Sequence, residues 1–421
     1  MTEKSGGFIK DPIHGYIRIS QTERSVIDTE PVQRLKRIRQ LAGSEFVYPA
    51  ANHTRFEHVI GAMHLAGTLG DVLPIGLPRS QREQLRLAAL LHDIGHGPFS
   101  HVFEPLLAKY LGKRHEDFVP WLVKETDIAE RLEAAGLDSS NLGRLAIGKL
   151  ASRERPYLDQ IISGGVDIDK LDYVVRDSFH TGAGYGSFDV HRLLYAMDVI
   201  DKDLSIDDSA VATLESFLLA RFESFRTIYF HKASRAVQIM LVRALEAARD
   251  ELNLLEYDEP EDYLKLDDYK VWTGLKECRK SEKIMQDLEH RRLLKCAYER
   301  TLFSREELRS NIISDERVRG DVEKQIARKA KIAWEDVVID VPTLPSVPYH
   351  DTATSPSMDI HVFNRAPDGR KVRVPLLEVS RIAGVLQTFM NLVRVYTKES
   401  YRSRVESAAR QILGEVSTSE K

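Results

Sequence analysis

The chain has 421 residues, 43% of them hydrophobic and 29% charged, and its 60 Lys+Arg against 64 Asp+Glu give a formal charge of −4. These proportions exclude a disordered or collagen-like chain and disfavour a dedicated nucleic-acid binder. Two cysteines, Cys278 and Cys296, cannot build a disulfide framework or a cysteine-rich zinc site, and no apolar run approaches membrane-spanning length, so a cytoplasmic protein with no membrane partner is expected.

From about residue 20 to 300 the signals are helical. Thr54-Arg-Phe-Glu57 forms a capping box opening a helix that carries His58. Ser80-Gln-Arg-Glu83 reads as a second capping box, ahead of Leu85 and Leu87-Ala-Ala-Leu-Leu91, a buried helix that stops at Gly95. Helical patterns recur in 117–135, 167–178, 209–252 and 280–299. After about 300 the texture changes. Val337-Val-Ile-Asp-Val341 reads as a strand, and Pro342, Pro345, Pro348 and Pro356 interrupt regular structure. Asp359–Phe363 and Lys371–Val374 flank Asp368-Gly369, a hairpin signal. Helix is expected again over Val379–Val395 and Tyr401–Leu413. The pattern predicts a mainly α protein, a helical body over 1–300 with a smaller α+β C-terminal appendage over 301–421.

Histidine is unevenly spread. Eight of the 14 lie within the first 115 residues, where an even spread would put about four. His92-Asp93 stands where a buried helix runs out, a place where polar side chains need partners. His58 lies upstream with Gly61 and Ala62 beside it, leaving room for close approach, and Asp167-Ile-Asp169-Lys170 opens a later helix. Singly, each of these has a structural reading, as a core histidine or a helix cap. Jointly, two imidazoles and two carboxylates balance a divalent ion and fill four positions, leaving two for water or a phosphate oxygen. The nitrogen ligands favour Mn, Fe, Co or Ni over Mg. On the helix at 167–178, about 100° per residue brings Lys170, Tyr173 and Asp177 within about 60° of one another, while Leu171, Val174, Val175 and Ser178 form a packing stripe.

An isolated His, a His-Asp doublet and a later Asp resemble the HD-domain phosphohydrolases. The longer motifs Asp11-Pro-Ile-His-Gly15, Gln33-Arg-Leu35, Thr54–His58, His92-Asp-Ile-Gly-His-Gly-Pro-Phe-Ser-His101 and Asp167-Ile-Asp-Lys-Leu-Asp-Tyr173 resemble the deoxynucleoside triphosphate (dNTP) triphosphohydrolases, a dGTPase-like branch. The resemblance spans roughly residues 8–240 in order and implies an HD-domain body.

It also implies that His58, His92, Asp93 and Asp169 bind the metal, that His101 donates a proton to the leaving 5′-oxygen, and that His96 contacts the phosphates. Glu104 stands where the family supports the donor with an aspartate, and His115-Glu116 lines the site. Arg55, Lys170 and Arg221 match triphosphate-binding positions. Gln40, Leu41, Tyr173, Asp177 and Tyr229 match positions around the sugar, where a Leu41/Tyr229 wall would reject a ribose 2′-hydroxyl. Phe230 stands where relatives often carry glutamine. Asp28, Gln33, Lys36, Asp189 and Arg192 correspond to an allosteric guanine-nucleotide site between subunits, although Lys36 replaces an arginine.

The implied reaction is metal-dependent cleavage of a dNTP into deoxynucleoside and inorganic triphosphate, with GTP or dGTP as activator and a homodimer or homotetramer as the working form. Two alternatives are another HD phosphohydrolase, acting on a monophosphate or signalling nucleotide, and a silent nucleotide sensor or single-stranded nucleic-acid binder. Gly182-Ala-Gly-Tyr-Gly186 lacks the strand-turn-helix setting of a phosphate loop, and Arg317–Lys331 reads as a solvated helix face.

Overall fold

The chain begins with an antiparallel hairpin, β1 (Ser5–Asp11) and β2 (Gly15–Ser20). The computed structural model describes residues 5–304, 315–345, 360–386 and 389–414. Two short helices follow, α1 (Gln21–Ile27) and α2 (Glu30–Arg34), and then α3 (Arg55–Val72) and α4 (Arg79–Leu91). Next come α5 (Glu104–Leu111), α6 (Val119–Glu125), α7 (Asp127–Ala134), α8 (Ser139–Ala146), α9 (Tyr157–Ile162) and α10 (Ile168–Thr181). α3 packs along both α4 and α10. It is apolar around most of its circumference, as a central helix must be, and Val59, Ile60, Ala62, Met63, Leu65 and Ala66 lie in the main core with Leu87–Leu91 of α4.

Beyond α10, α11 (Val190–Ala196) leads into β3 (Met197–Ile200) and β4 (Asp203–Asp207). α12 (Val211–Ser224) runs into a π-helical turn, Phe225–Tyr229, before α13 (Lys232–Ala248). The body closes with α14 (Pro260–Leu264), α15 (Asp268–Glu277) and α16 (Glu282–Glu289). The helical assignment is right for the larger part of the chain.

The C-terminal segment builds a second, smaller core. β5 (Lys295–Ser304) and β6 (Val338–Asp340) flank β10 (Phe389–Thr397) in an antiparallel sheet, and β7 (Thr343–Pro345) also pairs with β10. Helices α17 (Glu316–Ala330) and α20 (Arg402–Leu413) cover this sheet through Ile326, Ala327, Ala330, Val405, Ala408 and Ala409. The predicted hairpin forms β8 (His361–Arg365) and β9 (Lys371–Val374), and β8 joins β4 in parallel to extend the body sheet. α18 (Leu376–Val379) and α19 (Arg381–Leu386) precede β10.

Three local expectations fail. Val379–Val395 is not one helix, because α19 ends at Leu386 and Phe389–Thr397 is the central strand of the C-terminal sheet. Val393 and Val395 face one core while Tyr396 faces the other, so both sides of the strand are apolar and periodicity alone cannot separate it from a buried helix. Likewise 280–299 is helical only as far as Glu289, and Lys295 onwards pairs with β10. Ser80 caps nothing. α4 starts one residue earlier, at Arg79, with the Pro78 carbonyl accepting from the N–H groups of Gln81 and Arg82. Pro348, Pro356 and Asp359 lie outside the described residues. Among the described residues no helix is long and apolar enough to cross a membrane.

Candidate metal centre and active site

Three elements bring the predicted ligands together. His58 stands in the first turns of α3, where Glu57 accepts the Thr54 N–H at 3.1 Å. His92 and Asp93 follow directly on α4, and Asp169 lies in the first turn of α10, which Asp167 caps by accepting the Lys170 N–H at 2.8 Å. His58 Nε2 is 3.0 Å from Asp169 Oδ1, 3.3 Å from His92 Nε2 and 3.7 Å from Asp93 Oδ2. His92 Nε2 is 3.4 Å from Asp93 Oδ1 and 3.6 Å from Asp169 Oδ1.

The outer hydrogen bonds fix what these atoms present to one another. His92 Nδ1 donates to the Ala89 carbonyl at 2.7 Å, and His58 Nδ1 donates to Asp172 Oδ2 at 2.8 Å. Neither acceptor carries a proton, so Nε2 of each ring faces inward and offers a lone pair once the ring is neutral. Two lone pairs and two carboxylates then converge, an arrangement that needs a cation between them. Without a cation, burial pushes the His58 imidazole down, but Asp169 and Asp172 outweigh it and hold it up at about 10, so Nε2 keeps towards Asp169 a proton that a bound metal would replace. The donor set therefore fits a divalent metal with mixed nitrogen and oxygen ligation.

Behind the ligands is a buried network that sequence reasoning missed. Asp172 also takes a bidentate pair from Arg176, Nε at 2.7 Å and Nη2 at 2.9 Å, and meets His14 Nε2 at 2.6 Å. Arg176 Nη1 reaches Asp11 Oδ2 at 2.9 Å. The Asp-Pro-Ile-His motif at 11–14 is thus a buttress for His58, a candidate ligand. Its signal was present as Asp169, Asp172 and Arg176 at helical spacing beside an unexplained Asp11/His14 pair. Gly61 makes the approach possible, since a Cβ there would stand 2.0 Å from Asp172 Oδ1.

The loop after Asp93 carries the second cluster. His96 is buried, with Nε2 3.4 Å from Asp93 Oδ1, and its ring stacks on His115 at 3.7 Å. Glu104 bridges two histidines, accepting from His101 Nδ1 at 3.1 Å through one oxygen and from His115 Nδ1 through the other. Burial raises the Glu104 carboxyl, but those two imidazoles bring it well below its usual range. The longer arm of glutamate still supports His101. Phe99 and Ser100 both adopt left-handed backbone, φ 60° and 56°, a conformation costing roughly 1–2 kcal/mol per residue. Asp268, far along the chain, compensates by accepting the Phe99 N–H at 2.6 Å and the Arg39 N–H at 2.9 Å. Arg34, fully buried, donates to the carbonyls of His96 and Leu266, each at 2.9 Å. Neither Asp268 nor Arg34 was identified from the sequence.

The remaining expected substrate residues lie on the same side. Arg55 pairs with Asp93 and donates to Ser100 Oγ at 2.7 Å. Lys170 Nζ rests on Asp167 Oδ2 at 2.6 Å. Asp177 accepts from Tyr229 Oη at 2.6 Å and lies 2.8 Å from His53 Nε2, which brings a further histidine to this group. The π-helical turn delivers Tyr229, whose ring is 6.4 Å from that of Tyr173. Buried polar atoms without partners include Gln40 Oε1, Arg55 Nη2, His96 Nδ1 and both Nε and Nη1 of Arg221. Unsatisfied buried polar atoms of this kind call for a ligand. Leu41 is half-buried, whereas Phe230 packs against Leu392, Phe222 and Phe225.

The expected allosteric residues form two groups. Gln33 Oε1 accepts from Lys36 Nζ at 2.7 Å, Asp28 sits on the adjoining turn, and Lys36 lies 4.5 Å over the Phe56 ring. Asp189 caps α11 by accepting the Arg192 N–H at 2.9 Å, and Arg192 Nη2 donates to Ser209. Within one chain each group is satisfied internally.

Residues 55–177 match the HD domain and residues 188–421 match the HD associated region. The deoxynucleoside triphosphate triphosphohydrolase SAMHD1 homolog of Dictyostelium discoideum is 32% identical over 317 residues, which is 70% of this chain and 60% of that protein. The deoxynucleoside triphosphate triphosphohydrolase SAMHD1 of Homo sapiens is 29% identical, covering 95% of this chain and 72% of its own. A crystal structure of a hypothetical protein from Aquifex aeolicus superposes with a TM-score of 0.78 at 27% identity, covering 95% of this chain and 99% of that one. The chain thus spans less than two thirds of the Dictyostelium relative.

Proposed function

This chain belongs to the HD-domain deoxynucleoside triphosphate triphosphohydrolase family, and we propose that it hydrolyses a dNTP to the deoxynucleoside and inorganic triphosphate. The observation that carries this reading is the meeting of four metal-donor groups, a His101–Glu104 pair, and buried guanidinium nitrogens without partners, Nη2 of Arg55 and Nε and Nη1 of Arg221. His58, His92, Asp93 and Asp169 would hold a divalent ion, for which Mn, Fe, Co or Ni suit the nitrogen ligands better than Mg. Such an ion, when bound, acidifies water and polarises a phosphoryl oxygen.

The chain's own groups supply the rest. Arg55, Lys170 and Arg221 offset the triphosphate charge, and Arg forks match phosphate oxygens in two-point contacts. His96 is pushed down by burial and by the neighbouring Arg55 and His115, so it stays neutral and can hydrogen-bond a phosphate oxygen. His101, oriented through Nδ1 by Glu104, gives the proton on its Nε2 to the 5′-oxygen as a water oxygen bonds to the α-phosphorus, the bond from the 5′-oxygen breaks and the water gives up a proton to solvent. Tyr229 and Asp177 brace one another against the sugar, and with Leu41 they leave no room for a 2′-hydroxyl. Asp28, Gln33 and Lys36 of one subunit, completed by a second, suit a guanine-nucleotide activator.

The test is incubation of the full chain with each dNTP and NTP plus Mn²⁺, with and without GTP, followed by product chromatography. Inorganic triphosphate, lost in His92→Ala/Asp93→Ala, is the expected product. Orthophosphate alone would overturn the reading.

A further inference from the structure

A cavity of ≈ 620 Å³ opens between β2, α3 and α4, away from the metal centre, and Arg18, Glu23, His64, Arg82 and Arg86 are among its walls. None of Asp28, Gln33, Lys36, Asp189 or Arg192 lines it. Its volume falls in the range of about 300–1,000 Å³ that takes small molecules.

The charge inside is organised. Glu23 is buried and clamps Arg86 through Nε and, at 3.0 Å, through Nη2. Nη2 also donates to the Arg18 carbonyl at 2.9 Å, and Glu23 accepts the Ser20 N–H at 2.8 Å, so both carboxylate oxygens are engaged. Arg82 pairs with Asp71 through Nη1, yet its Nε is buried without a partner. Arg18 makes no ion pair among the described residues. Arg79 is a fourth guanidinium at the walls, and with Arg86 committed to Glu23 and Arg82 Nη1 to Asp71 the open donors are those of Arg18 and Arg82 Nε.

α3 is shaped to admit these arginines. A Cβ at Gly67 would stand 2.3 Å from Arg86 Nη1, and one at Gly70 would stand 3.0 Å from Arg82 Cγ. A glycine inside a helix costs roughly 0.5–1 kcal/mol against alanine, so α3 gives up stability at the two places where the guanidinium arms cross it. Tyr16, 71% exposed, stands at the cavity with Lys10 Nζ 4.2 Å over its ring, adding a fifth cation and a planar surface. Fixed guanidinium forks beside an open volume match phosphate oxygens.

We propose that this cavity is an effector site for a small phosphate-bearing anion. A short path leads from it to the metal centre. The His64 ring is 5.2 Å from that of His14, His14 Nε2 is 2.6 Å from Asp172 Oδ1, and the other Asp172 oxygen holds His58. A ligand that shifts His64 therefore bears on the group that orients a metal-facing imidazole.

The test needs no turnover, so it stands or falls separately from the triphosphohydrolase reading. The full chain is titrated calorimetrically with inorganic pyrophosphate and with adenosine 5′-monophosphate, in wild type, in Arg18→Ala/Arg82→Ala and in Arg221→Ala. The expected result is binding that weakens at least tenfold in the double variant and persists in Arg221→Ala. Tighter binding of the nucleotide marks a nucleotide site, and tighter binding of pyrophosphate marks an inorganic one. Should the double variant fold poorly, the exposed Arg18→Glu gives the same reading by charge reversal. Absence of binding by both probes, or binding lost only in Arg221→Ala, overturns the site. Hydrogen exchange completes the test: slowing that extends to residues 168–176 is expected, and slowing confined to residues lining the cavity overturns the effector role.

Discussion

His58 Nδ1 donates to Asp172 Oδ2 at 2.8 Å, and that one contact decides which nitrogen of the ring faces the other ligands. Asp172 is itself fixed by Arg176 and His14, so the orientation is over-determined. Groups behind a metal ligand typically change affinity 10- to 100-fold when altered. Asp172→Asn is therefore expected to weaken Mn²⁺ retention by about that factor, read as residual metal after dialysis against graded chelator. Retention equal to wild type would show that the contact is only structural.

Gly61 tests the same relationship from the other helix. A methyl group at this position meets Asp172 Oδ1 at 2.0 Å and Arg176 Nη2 at 2.3 Å, and both side chains are buried and doubly bonded. Overpacking of a tight core costs on the order of 1–3 kcal/mol. Gly61→Ala should lower the melting temperature of the apo chain and also reduce metal retention. Loss of stability with unchanged retention would separate the packing from the ligand geometry.

His101 and Glu104 should behave as donor and orienter. Removing a general acid costs about 10²–10⁴ in rate, so His101→Ala should fall in kcat by that range with KM and bound metal unchanged. Glu104→Gln keeps the shape but gives up the charge that both His101 and His115 meet. Its kcat should drop less, and Glu104→Asp should recover part of the loss if orientation is the role. Equal activity for Glu104→Gln and wild type would remove Glu104 from the mechanism.

Asp268 gives a pH prediction. Burial pushes its carboxyl up to about 6, against about 3.9 for an unperturbed aspartate. Folding then takes up a proton between about pH 4 and 6, so this group favours the folded state most at the acid end of that window and progressively less as pH rises through 6. Activity runs the opposite way. Ionisation leaves both oxygens as full acceptors for the Phe99 and Arg39 N–H groups, which hold the strained turn before His101, whereas a proton makes one of them a donor and a poorer acceptor. Turnover should fall as pH drops below about 6, and Asp268→Asn should be slower throughout but without that limb. An unchanged acidic limb in Asp268→Asn would assign it to another group.

The candidate donor positions can be singled out from the sequence because local patterns, structural when read singly, combine into one joint set. His92-Asp93 at a helix end, His58 in a capped helix and Asp169 in a first turn each carry their own pattern. The supports were illegible for the opposite reason. Arg34 bonds carbonyls of His96 and Leu266, and Asp268 bonds N–H groups of Phe99 and Arg39, and nothing in the neighbouring sequence of either residue names such partners. The same holds for β10, whose Leu392–Tyr396 run satisfies a helix pattern until β5 and β6 are known to flank it. Tyr229 is singled out only by the family resemblance, and the π-helical turn that carries it has no sequence period of its own.

That turn carries the last prediction. Tyr229 Oη donates to Asp177 Oδ2 at 2.6 Å, while the other Asp177 oxygen meets His53 Nε2 at 2.8 Å. The three side chains therefore brace one another, and on the proposed reading none would swing aside for a larger sugar. The C-terminal sheet adds to the constraint, because Arg394 donates to the Phe230 carbonyl and Tyr396 Oη to the Lys232 carbonyl at 3.1 Å. Tyr229→Phe deletes a hydrogen bond to a charged acceptor, worth about 1.5–3 kcal/mol, yet keeps the ring as a wall. It should lower kcat/KM for dNTPs by roughly ten- to a hundredfold while still rejecting NTPs. Tyr229→Ala removes the wall itself and should narrow the dNTP/NTP ratio, chiefly by admitting NTPs. Parallel assays on matched pairs such as dGTP and GTP separate the two effects. A ratio unchanged in Tyr229→Ala would mean that the sugar is selected elsewhere in the pocket.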